Sequence, residues 1–397
     1  MKQRYQYRIY PTEHQRQRLS QVFGCARIVW NDSLSWVMQT PEDTQWPSNA
    51  ELQTLCITLA KQYPARAWLS EVSVVALQQS VQDLGVAFKN FFEHRAKFPK
   101  FKKKAAKQSV RFTRRGFSLK HGKVFIAKVG AIKTKWSRSL PCPPSSVTII
   151  KDTVGRYFAS FVVDVGAVVK SVLNESVGVD LGIKTFAVLS TGEEIHSPEY
   201  KTLERKVRRA QRTLSRRQRG SNRYERQRMK VARLKARLAA KRKDFLDKLS
   251  TRLVEENTVV CLEDLNVAGM VKNRRLARAI SEAGWGTFRR MCEAKAACIV
   301  DRTISVISRW EPTSQVCSDC GFRWGKLDLS IRSILCVSCG TQQCRDINAS
   351  RNIAKAGVGR IHSNQKWTSS ECKTGNPAVC DEVSSQPYQG KQLCLSL

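Results

Sequence analysis

Two matched cysteine pairs, Cys317-x2-Cys320 and Cys336-x2-Cys339, separated by 15 residues, constrain this chain more than any other feature. Thiolates at that spacing supply four soft ligands to a tetrahedral Zn²⁺, and with every position filled such a site is structural. It closes a small ribbon and leaves no coordination position for a substrate. Each pair is followed by glycine, Gly321 and Gly340, which lets the backbone turn back toward the sulfurs. The remaining cysteines are scattered through 397 residues, so the chain reads as a protein of the reducing cytoplasm rather than a disulfide scaffold. Cys372, Cys380 and Cys394 offer the donors for a second metal site, but their irregular spacing favours unpaired thiols.

Charge narrows the partner. The chain carries 69 Lys+Arg against 33 Asp+Glu, a formal net charge of +36. A polyanion relieves that self-repulsion, which points to nucleic acid and away from small neutral substrates. Hydrophobic residues make up 42%, enough to bury real cores. No apolar run reaches the ~18 residues that span a bilayer, so no membrane is expected. The opening MKQRYQYRIY lacks the apolar stretch of a secretory signal. The expected location is the cytoplasm, at the nucleoid.

Along the chain, RYQYRIY (4–10) alternates as a strand and stops at Pro11-Thr12, where Thr12 and Gln15 form a capping-box pattern opening a helix. A second apolar helical stripe covers 70–92. FPKFKKKAAK (98–107) is a basic run, followed by short alternating segments broken by Gly and Pro, the pattern of a small barrel or sandwich. VGVDLGIKTFAVLSTG then reads as two strands. Residues 201–243 hold 19 Lys/Arg and only Glu204 and Glu225 as acids, with Gly220-Ser221-Asn222 as a breaker, which predicts a hairpin of two basic amphipathic helices. TVVCLEDLN (258–266) is a buried strand, and the chain beyond about Gly359 is polar and aperiodic.

Three acids sit where a carboxylate is costly. Asp180 lies inside the apolar run Val177–Gly182, Glu263 ends Val259–Leu262, and Asp346 precedes a helix beyond the cysteines. Carboxylates from three separate elements suit divalent cations, and a pair of Mg²⁺ ions held this way is the usual apparatus for phosphodiester hydrolysis. Asp264, on the opposite face of the same strand, competes with Glu263 for that role. Gly178 and Gly182 clear the face of Asp180 for a backbone or a phosphate.

VGVDLGIKTFAVLSTG, CLEDLNVAGMVKNRRLARAISEAGWGTF and CSDCG…CVSCG…RDINASRN resemble the three split RuvC motifs and zinc ribbon of the TnpB (OrfB) family, transposon-encoded RNA-guided nucleases related to type V CRISPR effectors. YRIYPTEHQRQRLSQVFGCARIVWN and FKNFFEHRAKFPKFKKK resemble its front end, so the likeness runs over roughly residues 1–357, in order. It implies an α+β multidomain protein. Residues 1–172 would be an OB-like wedge β-barrel with a helical recognition insertion at about 12–93. Residues 173–310 would begin an RNase H-like (RuvC) domain bearing the basic hairpin at 201–253, with a zinc ribbon at 311–342. The RuvC-like domain would resume at 343–359, before a weakly ordered tail at 360–397.

By the same resemblance Asp180, Glu263 and Asp346 are the catalytic residues holding two Mg²⁺, and Cys317, Cys320, Cys336 and Cys339 hold one structural Zn²⁺. The implied activity is that of a metal-dependent phosphodiesterase. A monomer bound to a guide RNA from the transposon end cuts double-stranded DNA beside a short flanking motif, with sequence choice left to base pairing. Candidate contacts to nucleic-acid backbones are Lys89, Lys100, Lys102, Lys103, Arg208, Arg209, Arg212 and Arg216, and Gln78, Gln79 and Gln82 are candidate readers of the flanking motif. Phe98, Phe101, Phe112 and Phe117 interleave with the first basic run as core or stacking residues. One departure is Cys344, where the family commonly has Asp or His two residues before the last catalytic aspartate. Three other readings share parts of these features: a nuclease-inactive guided repressor, a DNA-strand-transfer transposase, and a non-enzymatic zinc-ribbon RNA-binding protein.

Overall fold

The computed structural model describes residues 1–370 apart from Glu42, Lys326 and Leu329. It divides into two compact units. The first comprises 1–169, 198–248 and 297–300; the second comprises 170–197, 249–296 and the chain from 301 onward.

In the first unit, β1 (Lys2–Tyr10) leads into α1 (Glu13–Gln39), and the Thr12–Gln15 capping box forms as its residues predict. Helices α2 (Asn49–Gln53) and α3 (Val74–Phe92) follow, the latter preceded by 3-10 turns over Pro64–Glu71. The apolar stripes of α1 and α3 supply Leu19, Val22, Val29, Leu77, Val81 and Leu84 to one core. Six more strands come next: β2 (Gln108–Thr113), β3 (Phe117–Lys120), β4 (Lys123–Ile126), β5 (Gly130–Lys135), β6 (Ser146–Lys151) and β7 (Tyr157–Asp164). All pair antiparallel, in the order β2-β6-β7-β1-β5-β4-β3.

That order forces curvature. A flat seven-stranded sheet would put its edges nearly 30 Å apart at ~4.8 Å per strand. Yet edge strands β2 and β3 are joined by Arg114–Gly116 alone, a span of roughly 14 Å at most. The sheet curls accordingly, and Tyr7, Ile9, Phe112, Ile132, Ile149 and Phe161 alternate onto its buried face.

In the second unit, β8 (Asn174–Leu181), β9 (Ala187–Leu189) and β10 (Glu194–Ile195) begin a five-stranded sheet. The basic hairpin intervenes in sequence as α4 (Lys201–Ser215) and α5 (Asn222–Glu256), with Ser221 Oγ accepting from Tyr224 N at the start of α5. Most of this hairpin groups with the first unit, whereas the resemblance counts it inside the nuclease domain. Strand β11 (Asn257–Glu263) follows, then short α6 (Val267–Met270), α7 (Ala277–Ala283) and α8 (Trp285–Ala296), then β12 (Thr303–Ile307). The order is β10-β9-β8-β11-β12, with β8, β11 and β12 parallel. The ribbon strands β13 (Ser333–Leu335) and β14 (Gln342–Cys344) flank the second cysteine pair, and α9 (Arg345–Ser370) ends the described chain.

Helix α9 continues past Gly359, where the sequence predicts the onset of a weakly ordered tail. Glycine weakens a helix interior by roughly 1 kcal/mol, but packing overrides that cost here. A Cβ on Gly357 would lie 2.3 Å from Cys261 Sγ, so this glycine is a packing position rather than a stop. The rest of the tail, 371–397 with its three cysteines, lies outside the described residues.

Helix α9 lies on β8 through Gly178, where an added Cβ would meet Ser350 O at 1.9 Å and Ala354 N at 2.6 Å. The clearance expected at Gly178 therefore admits protein backbone. Gly178→Ala is expected to lift α9 from the sheet and destabilise this unit by about 3 kcal/mol or more. Thermal melting and proteolysis of the α9 segment would record it.

Candidate active site and metal centre

Parallel register places the carboxylates. Leu262 pairs with Val179, so the next residues along, Glu263 and Asp180, are neighbours on one face at the C-terminal ends of β11 and β8. Asp180 is two residues beyond Gly178, about 6.6 Å along the strand. Asp346 is four residues before Ser350, about 6 Å along α9 and on the same helical face. Since Ser350 rests on Gly178 and α9 begins at the strands' C-terminal ends, these matched spacings carry Asp346 toward Asp180.

Electrostatics agree. Burial pushes the Asp180 carboxyl up to about 7, and the negative charges of Glu263 and Asp346 push the same way, against a weaker pull from Arg345 and Arg332. Burial also raises Glu263, while a hydrogen bond from Thr313 Oγ1 to Glu263 Oε1, 2.8 Å, favours its charged form. Asp346 is held by Arg332, whose Nη1 donates to both carboxylate oxygens at 3.1 Å. The three acids are neighbours rather than a closed cage. Among the described residues, only the four cysteines offer three or more ligand atoms that all lie within 4.8 Å of one another.

The structure separates Glu263 from its competitor. Asp264 accepts from Arg289 Nη1 at 3.0 Å and from Arg309, which hold its carboxyl below the usual range. Neutralised twice over, it ties α8 and the segment after β12 to the end of β11, and Glu263 is left facing Asp180.

In the ribbon, Cys317 and Cys339 sulfurs are 3.8 Å apart, and those of Cys320 and Cys336 are 3.6 Å apart. A tetrahedron with Zn–S bonds of ~2.3 Å has edges of about 3.8 Å, close to these two separations, and all four sulfurs lie within 4.8 Å of one another, so the donor set suits zinc. Gly321 and Gly340 adopt φ of +79° and +73°, the left-handed turns that bring each knuckle round. Hydrogen bonding with Thr341 holds the Cys339 thiol down to about 6, favouring the ligating thiolate. Cys344 ends β14 opposite Ser333.

The sequence reading missed what joins ribbon to helix. Asn348, fully buried two residues after Asp346, accepts from Ser318 N at 2.7 Å and from Gln343 Nε2 at 2.8 Å, and donates to Val316 O at 2.8 Å. Asn352 donates to Thr313 O at 2.8 Å, and Lys355 donates to Ser318 O. The two asparagines of RDINASRN, with Lys355, thus hold the first knuckle against α9. Arg332 was missed as well.

Of the candidate nucleic-acid residues, Arg208, Arg209 and Arg212 are exposed on α4 and Arg216 at its C-terminal cap, and Lys89, Lys100 and Lys103 are exposed near the end of α3 and beyond it. Lys102 is committed elsewhere. Its Nζ sits 3.5 Å from the Trp30 ring centroid, and burial lowers it to about 8 despite nearby Asp83. Gln78 is exposed and Gln79 half-buried, whereas Gln82 Oε1 accepts from Asn49 Nδ2 at 3.4 Å. Phe112 and Phe117 are buried, and Phe98 and Phe101 are exposed.

Family models match three stretches: "Helix-turn-helix domain" at 1–39, "Probable transposase" at 160–274, and "Cas12f1-like, TNB domain" at 285–353. A Streptomyces pristinaespiralis protein named "Putative RNA-guided DNA endonuclease" is 40% identical over 377 residues, covering 90% of each chain. The chain belongs to the TnpB (OrfB) family. A second relative, "Putative RNA-guided DNA endonuclease InsQ" of Escherichia coli K12, is 28% identical over 89% of this chain and 92% of its own. The TnpB-family chain also shares its fold with the protein in a cryo-EM structure of a Cas12f1–sgRNA–target DNA complex, at TM-score 0.55 and 13% identity, over 84% of this chain and 81% of that one. No helix among the described residues is long and apolar enough to cross a membrane.

Without a metal, neutral Asp180 suits this site and charged Asp180 does not. Its contribution to stability is present below its ordinary 3.8 and is lost as pH rises through about 7. Asp180→Asn is therefore expected to melt about 5 °C or more above the parent at pH 8 without divalent metal, with the gap narrowing toward pH 5. Asn348→Ala is expected to cost about 2–3 kcal/mol by leaving the buried Ser318 N without its acceptor, measured by thermal melting.

Proposed function

We propose that this TnpB-family chain is an RNA-guided DNA endonuclease whose catalytic residues are Asp180, Glu263 and Asp346. The observation that carries this reading is the Asp180 carboxyl, pushed up to about 7 beside two further carboxylates drawn from other elements. Such an arrangement costs stability unless a cation shares it, and three oxygen donors suit Mg²⁺ as four sulfurs suit Zn²⁺. We read the five-stranded sheet crossed by α9 as the RuvC-like, RNase H-like fold, and the curled seven-stranded sheet as the OB-like wedge.

Asp180, Glu263 and Asp346 would hold Mg²⁺, which when bound would supply activation of the attacking water and charge stabilisation of the leaving 3′ oxygen. The chain's own residues set the stage. Thr313 fixes the orientation of Glu263, the Asp264–Arg289–Arg309 cluster anchors the end of β11, and Asn348 with Asn352 keeps α9 and the ribbon in register. Arg332 pairs with Asp346 and so brings a guanidinium beside the carboxylates. Exposed arginines on α4 and lysines near α3 suit the phosphates of a guide–target heteroduplex, a partner that asks for charge more than base recognition. The guide would derive from the transposon end, and cutting would fall beside a short flanking motif.

The test is purification with co-bound RNA, sequencing of that RNA, and cleavage of a matching plasmid in Mg²⁺. Asp180→Ala, Glu263→Gln and Asp346→Asn are each expected to slow cutting at least about a hundredfold while target binding persists. Cutting at the parental rate by Asp180→Ala would refute the assignment.

A further inference from the structure

Trp310 is 84% exposed, more than any other large apolar side chain among the described residues. It has no aromatic or cation–π partner among them. Its position is nevertheless fixed. Strand β12 ends at Ile307, which pairs with Glu263, so the segment that follows leaves the sheet at the edge where the carboxylates lie. Arg309, just before Trp310, donates through Nε to Asp264 Oδ2 at 3.0 Å, and Thr313, three residues after it, donates to Glu263 at 2.8 Å. Between them Trp310 N donates to Ser308 Oγ at 3.3 Å, and Glu311 N to Ser308 O at 3.1 Å. The segment is thus tied down on both sides of an indole that faces water, with its Cα no farther than roughly 11 Å from that of Thr313.

Resting on the nuclease reading, we propose that Trp310 stacks on an unpaired base of the DNA strand being cut and holds that strand at Asp180, Glu263 and Asp346. An indole face accepts any base, because every base has a π-face, so the contact adds affinity without reading sequence. That is what an enzyme needs if its specificity comes from elsewhere. The faces of bases within a duplex are covered by their neighbours, so the fitting partner is a single strand. A fixed stacking platform beside the site would set which phosphate reaches the carboxylates.

The experiment uses the RNA-loaded full chain and single-stranded DNA substrates in which one nucleotide at a time is replaced by an abasic site. In the parent, loss of one particular base near the scissile bond is expected to raise KM about tenfold with kcat little changed. Trp310→Ala is expected to raise KM similarly on intact substrate and to be insensitive to that abasic position, with Trp310→Phe restoring most of the affinity. A readout independent of cutting is photocrosslinking of strands carrying 5-iododeoxyuridine, which should label the Trp310 peptide in the parent and in Asp180→Asn alike. Independent, multiplying effects of the abasic site and Trp310→Ala, or crosslinks that avoid Trp310, would overturn the proposal. Failure of the nuclease reading is distinguishable: Asp180→Asn would then cut as the parent does, whatever the crosslink shows.

Discussion

The seat of α9 on β8 is the contact on which the site depends. Gly178 has no side chain, so the helix backbone comes down onto the strand, and every later distance is set by that approach. Four residues back along the helix and two forward along the strand are nearly equal lengths, which lets Asp346 and Asp180 meet at one end of the sheet. Parallel pairing with β11 adds Glu263 without any loop having to be ordered for the purpose. The core beneath, Cys261, Ile307 and Ile353, packs α9 onto β11 and β12 as well.

Around that seat the polar groups divide their labour. Asp264 and Glu263 are adjacent in sequence and opposite in role: one is saturated by two arginines, the other meets only Thr313 and the negative charge of Asp180. Asn348 and Asn352 connect the cysteine knuckle to the helix that bears Asp346, so the ribbon braces the site as well as closing its own loop. On the proposed nuclease reading, the ribbon acts on the site through the helix it steadies.

Features that are local were legible in the sequence. Thr12 and Gln15 announced their capping box, Gly220-Ser221-Asn222 broke the basic hairpin, and the cysteine spacing alone described the sulfur cluster. The acids stood out because a carboxylate in an apolar strand is expensive, and the family resemblance picked among them. What the sequence hid is long-range. Strand alternation sets Asp264 and Glu263 on opposite faces, but nothing in it says which face α9 covers. Arg332 is one of 69 basic residues, and no spacing marks it as the partner of Asp346. Lys102 reads as one more cation in a basic run until Trp30, seventy-odd residues earlier, is found beneath it. Gly357 does not look like a packing position because Cys261, the residue it rests on, lies about a hundred residues earlier.

The account turns on three carboxylates sharing cations at the end of β8. Its most direct test is anomalous diffraction from crystals of the RNA-bound protein soaked in Mn²⁺, a close substitute for Mg²⁺ at oxygen sites. The account predicts peaks about 2.0–2.3 Å from oxygens of Asp180, Glu263 and Asp346 together, with Arg332 displaced from at least one oxygen of Asp346. Mn²⁺ density absent from these acids at saturating metal, with Arg332 still bridging both oxygens of Asp346, would contradict it.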